Sequence, residues 1–407
     1  MSVQPFSVKC CIAGGGPAGL MAGLLLSRAG VEVIVLEKHK DFLRDFRGDT
    51  IHPSTLEVMR ELGLAYKLLN LPHQEVRSLS FQAGDKSVVI ADFNALPLHF
   101  PFIAIMPQWD FLNFIAKEAA RFAGFNLIME AEATSLIEEA GRIVGVRAKT
   151  PNGNLEVRAD LVIAADGRDS TLREQAGLEV TRLGAPMDVL WFRLARRADD
   201  PADVMGRFGA GSAFIMIDRG DYWQCGYLIA KGEFDKVRER GLEDFRRRLV
   251  ELAPITHDRV DALTSWDDIK LLTVAVDRLV QWYRPGLMCI GDAAHAMSPI
   301  GGVGINLAIQ DAVAASNILA ASLREGQLDI EHLRALQHRR ELPARLTQMM
   351  QVFIQNRVLK AVLAEKGPPR LPWPMRLLAR FPALRRLPAR FVGIGVRPEH
   401  VETEAVG

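Results

Sequence analysis

Apolar and polar positions along this chain switch rhythm repeatedly. Val8-Lys-Cys-Cys-Ile-Ala13 is a nearly unbroken apolar run, the pattern of a strand buried on both faces. Leu20 to Ala29 reads as a helix closed by Gly30, and Val31-Glu-Val-Ile-Val-Leu36 as a second strand ending at Glu37. A helix follows over Ser54–Leu62, stopped by Gly63, with Ser54 and Glu57 spaced as a capping box. Between residues 77 and 103 the rhythm becomes that of strands, with Ser78–Phe81 and Ser87–Asp92 predicted as a hairpin. Met106-Pro-Gln108-Trp leads into a helix over Asp110–Phe122.

Strands dominate again from 125 to 168. Thr134–Glu138 and Arg142–Lys149 pair around Ala140-Gly141, and the Asn152-Gly153 turn feeds a long run, Leu155–Ala165. Alternating segments recur at Asp188–Ala195, Ala213–Asp218 and Asp221–Ile229, with an amphipathic helix near Leu242–Leu252. The strand Gly286–Ile290 turns at Gly291-Asp292 and passes through a glycine-rich loop into a helix from Ile305. Residues 330–366 read as mostly helical.

This order predicts an α/β protein with a discontinuous Rossmann-like domain over 1–75, 104–182 and 276–340, joined by an antiparallel β-meander crossover. A mixed-sheet, α+β substrate domain over 76–103 and 183–275 interrupts it. A helical C-terminal region, 341–407, ends in a basic, proline-rich tail. Length agrees, since 407 residues exceed one simple core.

Composition is that of an ordinary globular chain, and a formal net charge of +1 gives no global reason to expect nucleic acid. The four cysteines form no CxxC and no metal spacing, so they are expected to be reduced, buried thiols in a cytoplasmic protein, with no metal site. No signal peptide pattern and no bilayer-length apolar run is visible. The segment Gly367–Arg397 holds seven arginines and no acid, which leaves two readings: a packed extension, or a peripheral contact with an anionic membrane.

Chemistry concentrates in three places. Gly14-Gly-Gly16-Pro17-Ala18-Gly19 sits between strand and helix, the context that gives a G-x-G-x-x-G meaning. Gly14 allows the tight turn, Gly16 lets a pyrophosphate approach the backbone, and Gly19 lets the helix lie close to the sheet. Glu37, followed by Lys38, is placed to accept from ribose hydroxyls. Asp166-Gly167-Arg168 ends the long strand in the same manner as Gly291-Asp292. The third place is Gly291-Asp292-Ala-Ala-His295 with Pro299-Ile-Gly301-Gly302-Val303-Gly304-Ile305-Asn306 opening a helix, whose amides suit a carbonyl or a developing anion. Arg47, in the loop before the second helix, and Gln108 are further candidates to touch a dinucleotide; His52 is read as a loop histidine.

Together these three elements resemble the class A, single-component flavoprotein monooxygenases, the family of para-hydroxybenzoate hydroxylase, over roughly residues 7–345. The resemblance implies FAD at the first and third elements, with Glu37 at the adenosine ribose and Asp292 at the ribityl chain or its phosphate. It implies that Asp166-Gly167 serves both FAD and NAD(P)H, and that Arg47 and Gln108 lie near FAD. It implies that NADH or NADPH reduces the flavin, which takes up O2 as a C4a-hydroperoxide and hydroxylates a phenolic or polycyclic aromatic substrate. Amides from Gly302 to Asn306 would face flavin N1 and O2, and Pro299 would lie near the oxygen attack. On the strand Asp221–Ile229, alternation puts Tyr222 and Gln224 on one face as candidate substrate groups, Tyr222 as a proton acceptor for a phenol. A monomer or homodimer is expected.

No Trp-x-Trp-x-Ile-Pro is present, which disfavours a flavin halogenase. Two alternatives stay open at this level: a flavin reductase or dehydrogenase of a lipid or quinone-like isoprenoid, and a non-catalytic flavin-binding protein held at a membrane by its basic tail.

Overall fold

The computed structural model describes residues 6–43, 50–83, 86–200, 205–209, 211–360, 362 and 373–406. Its first sheet has five parallel strands in the order Leu287–Cys289, Gly153–Ala164, Phe6–Ala13, Val33–Glu37, Phe125–Met129. Cys10 to Ala13 and Val33 to Leu36 are all but inaccessible to solvent, which explains why these strands are continuous apolar runs and do not alternate. Against the sheet lie the helices Pro17–Arg28 and Gly304–Glu325, packed on each other. The latter is long and apolar enough to cross a membrane, but its most apolar stretch is 83% buried and it serves as a core helix.

The long strand Gly153–Ala164 does two jobs. Its first half pairs antiparallel with Arg142–Thr150, which pairs in turn with Glu132–Glu139. Its second half runs parallel to Phe6–Ala13. The turn between the two outer strands is made by Ala140 and Gly141, both with positive φ, as a two-residue hairpin requires.

A second sheet of seven strands is assembled from two stretches of chain. Ser78–Ala83 and Lys86–Asp92 join the strands of the 187–272 stretch through parallel pairing of Ser78–Ala83 with Met205–Gly209. Alternation divides its faces. Leu190, Phe192 and Leu194 enter a core with Phe245 and Leu249 of the helix Leu242–Leu252. Val189 and Trp191 point the other way, towards Leu359 and Met375 of the C-terminal region. That region comprises the helix Ile330–Ile354, extended by a wider turn through Leu359, and the short helices Trp373–Arg380 and Arg386–Gly393.

One local expectation fails. The second helix starts at Pro53 with His52 before it, and Ser54 does not cap it. Ser54 Oγ donates instead to Asn306 Oδ1 at 2.9 Å, and Glu57 accepts from Arg60 Nε and the His99 amide, each at 2.8 Å. Tertiary partners take the groups that a capping box would use. All four cysteines are free and buried, and burial pushes the Cys11 thiol up to about 12, which leaves it protonated and inert at neutral pH.

Candidate active site

The first strand ends in a turn that only glycine can make. Gly14 has φ +107°, and a Cβ there would stand 2.3 Å from Ala165 O. A Cβ on Gly19 would meet Gly14 O at 1.9 Å, so this glycine lets the helix press on the strand and stays out of the cleft. Gly16 differs. A Cβ there would meet nothing within 4 Å and would project into an open cleft that Gly14, Gly16, Pro17 and Ala18 line. Glu37 closes the far side. Its Oε2 accepts from the Gly15 amide at 2.9 Å and its Oε1 from the His39 amide at 3.1 Å. The His39 ring lies 2.5 Å from the same Oε1. Lys38 and Gln108 also line the cleft; Arg47 lies outside the described residues.

Asp166 and Asp292 stand at the ends of adjacent parallel strands. Burial pushes the Asp166 carboxyl up, while the Ser170 hydroxyl at 2.5 Å and the Leu172 amide at 3.3 Å favour its anion. Gly167, at φ +93°, turns the chain away, and Arg168 reaches across to Asp292 Oδ2 at 3.5 Å. Asp292 is one-third exposed, with its carboxylate at the cleft wall. Gly291, at φ +60°, supports this turn from behind, 3.0 Å from Ala18 Cβ where its own Cβ would be, and does not line the cleft.

Beyond Asp292 the chain runs through Pro299, Gly301 and Gly302 to the helix start at Gly304, all lining the cavity together with Ile305. Gly301 and Gly302 both have positive φ. Thr50 Oγ1 donates to Gly302 O at 3.1 Å and fills the place of a Cβ on that residue. Val303 and Asn306 are not on the cavity: they face a recess beside Arg340 and Thr347. Asn306 Oδ1 accepts from Ser54 Oγ and Thr55 Oγ1, so it fastens the helix start to its neighbour.

A buried charge network underlies this loop. Asp311, on the Gly304–Glu325 helix, accepts from the Gly291 amide at 3.0 Å and Arg340 Nε at 3.0 Å, and lies 2.6 Å from His295 Nε2. Arg340 also donates to Glu399 Oε1 at 3.0 Å. Burial pushes the Asp311 carboxyl up, but His295 and Arg340 outweigh it and hold the pKa below the usual range. Sequence reasoning missed Asp311 and Arg340. The available signal was an acid inside an apolar helical run, Leu307-Ala-Ile-Gln-Asp311-Ala-Val-Ala, where a lone charge needs a partner. It also missed His39, two residues after Glu37.

The cleft opens into a chamber against the second sheet, and the two form one cavity of about 1210 Å³. Val189, Trp191, Phe208, Ile215 and Leu228 supply its sheet wall, and the C-terminal helices roof it with Met375, Leu378 and Phe391. Ser80 and Gln224 are polar exceptions, and the Gln224 amide oxygen accepts two bonds from Arg219 at 2.9 and 3.0 Å. Tyr222 does not line the chamber. Two residues along the strand carry it about 7 Å past Gln224, where its ring lies under the Arg193 guanidinium at 4.8 Å. The structure thus gives Tyr222 no contact with the chamber, contrary to its expected place there.

A nucleotide-binding turn, two strand-end aspartates and a glycine-rich helix start around one cleft define a Rossmann-type dinucleotide-binding protein. A model of the FAD binding domain family matches residues 7–350, and the chain belongs to that family. The 6-methylpretetramide 4-monooxygenase of Streptomyces rimosus is 32% identical over 377 residues, covering 92% of this chain and 90% of that protein. The para-nitrophenol 4-monooxygenase of Pseudomonas sp. strain WBC-3 is 24% identical over 332 residues, covering 77% and 78%. The solved structure of the anhydrotetracycline hydroxylase OxyS from Streptomyces rimosus matches with TM-score 0.74 at 23% identity, over 95% of this chain and 76% of that one, a likeness of fold. The protein is an FAD-dependent monooxygenase of the aromatic and polycyclic class A type.

Proposed function

We propose that this enzyme uses NADH or NADPH and dioxygen to hydroxylate an apolar polycyclic aromatic substrate. One observation carries the reading: the glycine-lined cleft and the apolar chamber are a single cavity of about 1210 Å³. That exceeds the roughly 1,000 Å³ at the top of the usual range for one ligand and leaves room for cofactor and substrate together. FAD, when bound, supplies the redox chemistry, activating dioxygen once the nicotinamide has reduced it.

The residues present fit such a cofactor. The open face of Gly16 admits a pyrophosphate to the backbone. Glu37 would accept from the adenosine ribose and Asp292 from the ribityl chain. Amides at the helix start near Gly302 and Gly304 would face the electron-rich edge of the flavin ring, where the helix dipole favours negative charge. Pro299 would border the reacting face. In the chamber, apolar walls hold the ring system and exclude water, while Ser80 and Gln224 supply the polar contacts that orient it. The relatives named for 6-methylpretetramide and para-nitrophenol support oxygen insertion into an aromatic compound.

The test is turnover by the yellow holoenzyme across a panel of polycyclic phenols, with isotopically labelled dioxygen. Label in the product, matched to nicotinamide consumed, is expected. Hydrogen peroxide as the sole product across the panel, or full turnover under anaerobic conditions, would sink the proposal.

A further inference from the structure

The C-terminal fifth of the chain has an unusually apolar surface. On the helix Ile330–Ile354, the buried face carries Arg340, Thr347, Gln348 and Gln351 beside Leu333, Leu336, Pro343 and Ala344, and the outer face of its second half carries exposed Leu342, Leu346, Met349 and Phe353. The spacing of those four puts them on one side of the helix. The polar groups face inward because they are used there. Gln348 donates to Asp277 O and Ala296 O, and Gln351 to Ser298 O and Ile300 O, tying the helix to the loop before Gly301. The apolar stripe has no such partner within the described residues. Of the sixteen large apolar side chains exposed among the described residues, nine lie between Leu342 and Leu387, so the exposure is concentrated and not scattered.

Charge is concentrated in the same stretch. From Leu342 to Pro398 the sequence holds eleven lysines and arginines and one acid, Glu365. The whole chain carries only +1, so the remainder is net negative and the molecule is electrically polarised. Arg345, Arg357, Arg376, Arg380, Arg386 and Arg390 are all exposed. Apolar side chains interleaved with arginines and almost no acid match the interfacial zone of an anionic bilayer. A second copy of the chain fits poorly, because a two-fold contact would bring the same cations face to face.

The cavity reaches the surface here. Met350, Trp373, Leu377 and Leu387 line the chamber and are also 42 to 62% exposed. We propose that this face docks on an anionic lipid membrane, with the apolar stripe and Trp373 in the acyl boundary and the arginines at the headgroups. The chamber mouth then opens onto lipid, and an apolar substrate passes between bilayer and chamber without crossing water. The docking itself does not depend on the hydroxylase reading and is measured apart from it.

The test is flotation of the full-length holoprotein with vesicles of phosphatidylcholine alone or mixed with phosphatidylglycerol. Binding is expected to the mixed vesicles only, falling several-fold as salt is raised. Met349→Glu with Phe353→Glu should reduce the bound fraction at least tenfold, with FAD content and unfolding midpoint unchanged. Arg376→Glu with Arg380→Glu should likewise weaken binding to mixed vesicles, with FAD content unchanged. Wild-type protein that stays in the aqueous layer with mixed vesicles overturns the proposal. So does a double variant at 349 and 353 that floats like wild type. A wild-type dimer that this variant dissociates, without vesicle binding, assigns the face to a second copy. Capture by an acidic carrier protein in place of vesicles likewise assigns it elsewhere.

Discussion

The cleft and the chamber share one cavity but are built on different principles. The cleft is made of backbone: positive-φ turns at Gly14, Gly167, Gly301 and Gly302, strand ends, one helix start, and a few carboxylates at its rim. Each of its parts is contiguous in sequence. The chamber is made of side chains drawn from Leu79 to Val392, specified mainly by shape, with Ser80 and Gln224 as its polar groups. Backbone geometry of the first kind tolerates almost no alternative residue and therefore leaves a motif. Apolar walls of the second kind tolerate many volume-conserving exchanges and leave none. The expected consequence is that damage to the cleft's supports is large and cooperative, and damage near the roof is graded.

The sharpest way to break this contrast is through the network beneath the cleft. Asp311→Ala removes one acceptor from three donors at once: the Gly291 amide, His295 and Arg340. Arg340 is 1% exposed, and among the described residues only the Glu399 carboxylate and the Arg397 carbonyl then accept from it. Breaking a buried pair in this way costs about 3–5 kcal/mol. Denaturant unfolding of the holoprotein should show that loss together with lost FAD. A cost below about 1 kcal/mol would mean that the loop before Asp292 is held by packing alone and that the cleft is no more cooperative than the chamber.

A smaller change separates binding from folding. Asp292→Ala leaves the network intact but removes a one-third-exposed carboxylate from the cleft wall. A charge-assisted hydrogen bond to FAD contributes roughly 1.5–3 kcal/mol, so the FAD dissociation constant should rise about 10- to 150-fold with little change in apoprotein stability. An unchanged constant, by titration of the apoprotein, would remove Asp292 from the cofactor site.

What could be read from the sequence follows the same division. The glycine turn, the meander feeding a parallel strand, and the return strand at Leu287–Cys289 were legible because each obeys a local rule of period or turn chemistry. Within the glycine-rich helix start, spacing did not say which residues face the cavity. The helix turns about 100° per residue, so Ile305 faces the cavity while Asn306 faces Ser54 and Thr55. Strand alternation correctly separates Gln224 from Trp223, yet says nothing about where a cavity ends, and Tyr222 falls beyond it. The Arg340–Asp311–His295 network escaped because its members lie on three elements brought together only by tertiary structure.

His52 tests the seam where the two regions meet. It is fully buried, directly before the helix Pro53–Glu61. Its ring Nδ1 lies 2.8 Å from Val392 O in the roof; a carbonyl only accepts, so Nδ1 carries the proton. Its neighbours Thr50, Ser54 and Thr55 bond to Gly302 and Asn306 of the glycine-rich helix start. Burial lowers the His52 pKa to about 4, with the Val392 bond opposing it. The neutral ring is therefore the folded form, and the unfolded chain, with an ordinary histidine pKa near 6.5, binds the proton first. Stability from this residue is complete above about pH 6.5 and is lost as pH falls towards 4. At about pH 5.5 the loss is about 1.4 kcal/mol, one pH unit below the unfolded value. His52→Gln can still donate to the Val392 carbonyl but cannot titrate. Its stability should fall less than that of the wild type between about pH 7.5 and 5.5, by about that 1.4 kcal/mol. Parallel pH profiles for the two proteins would mean that the seam between cleft and roof is not closed by a neutral His52.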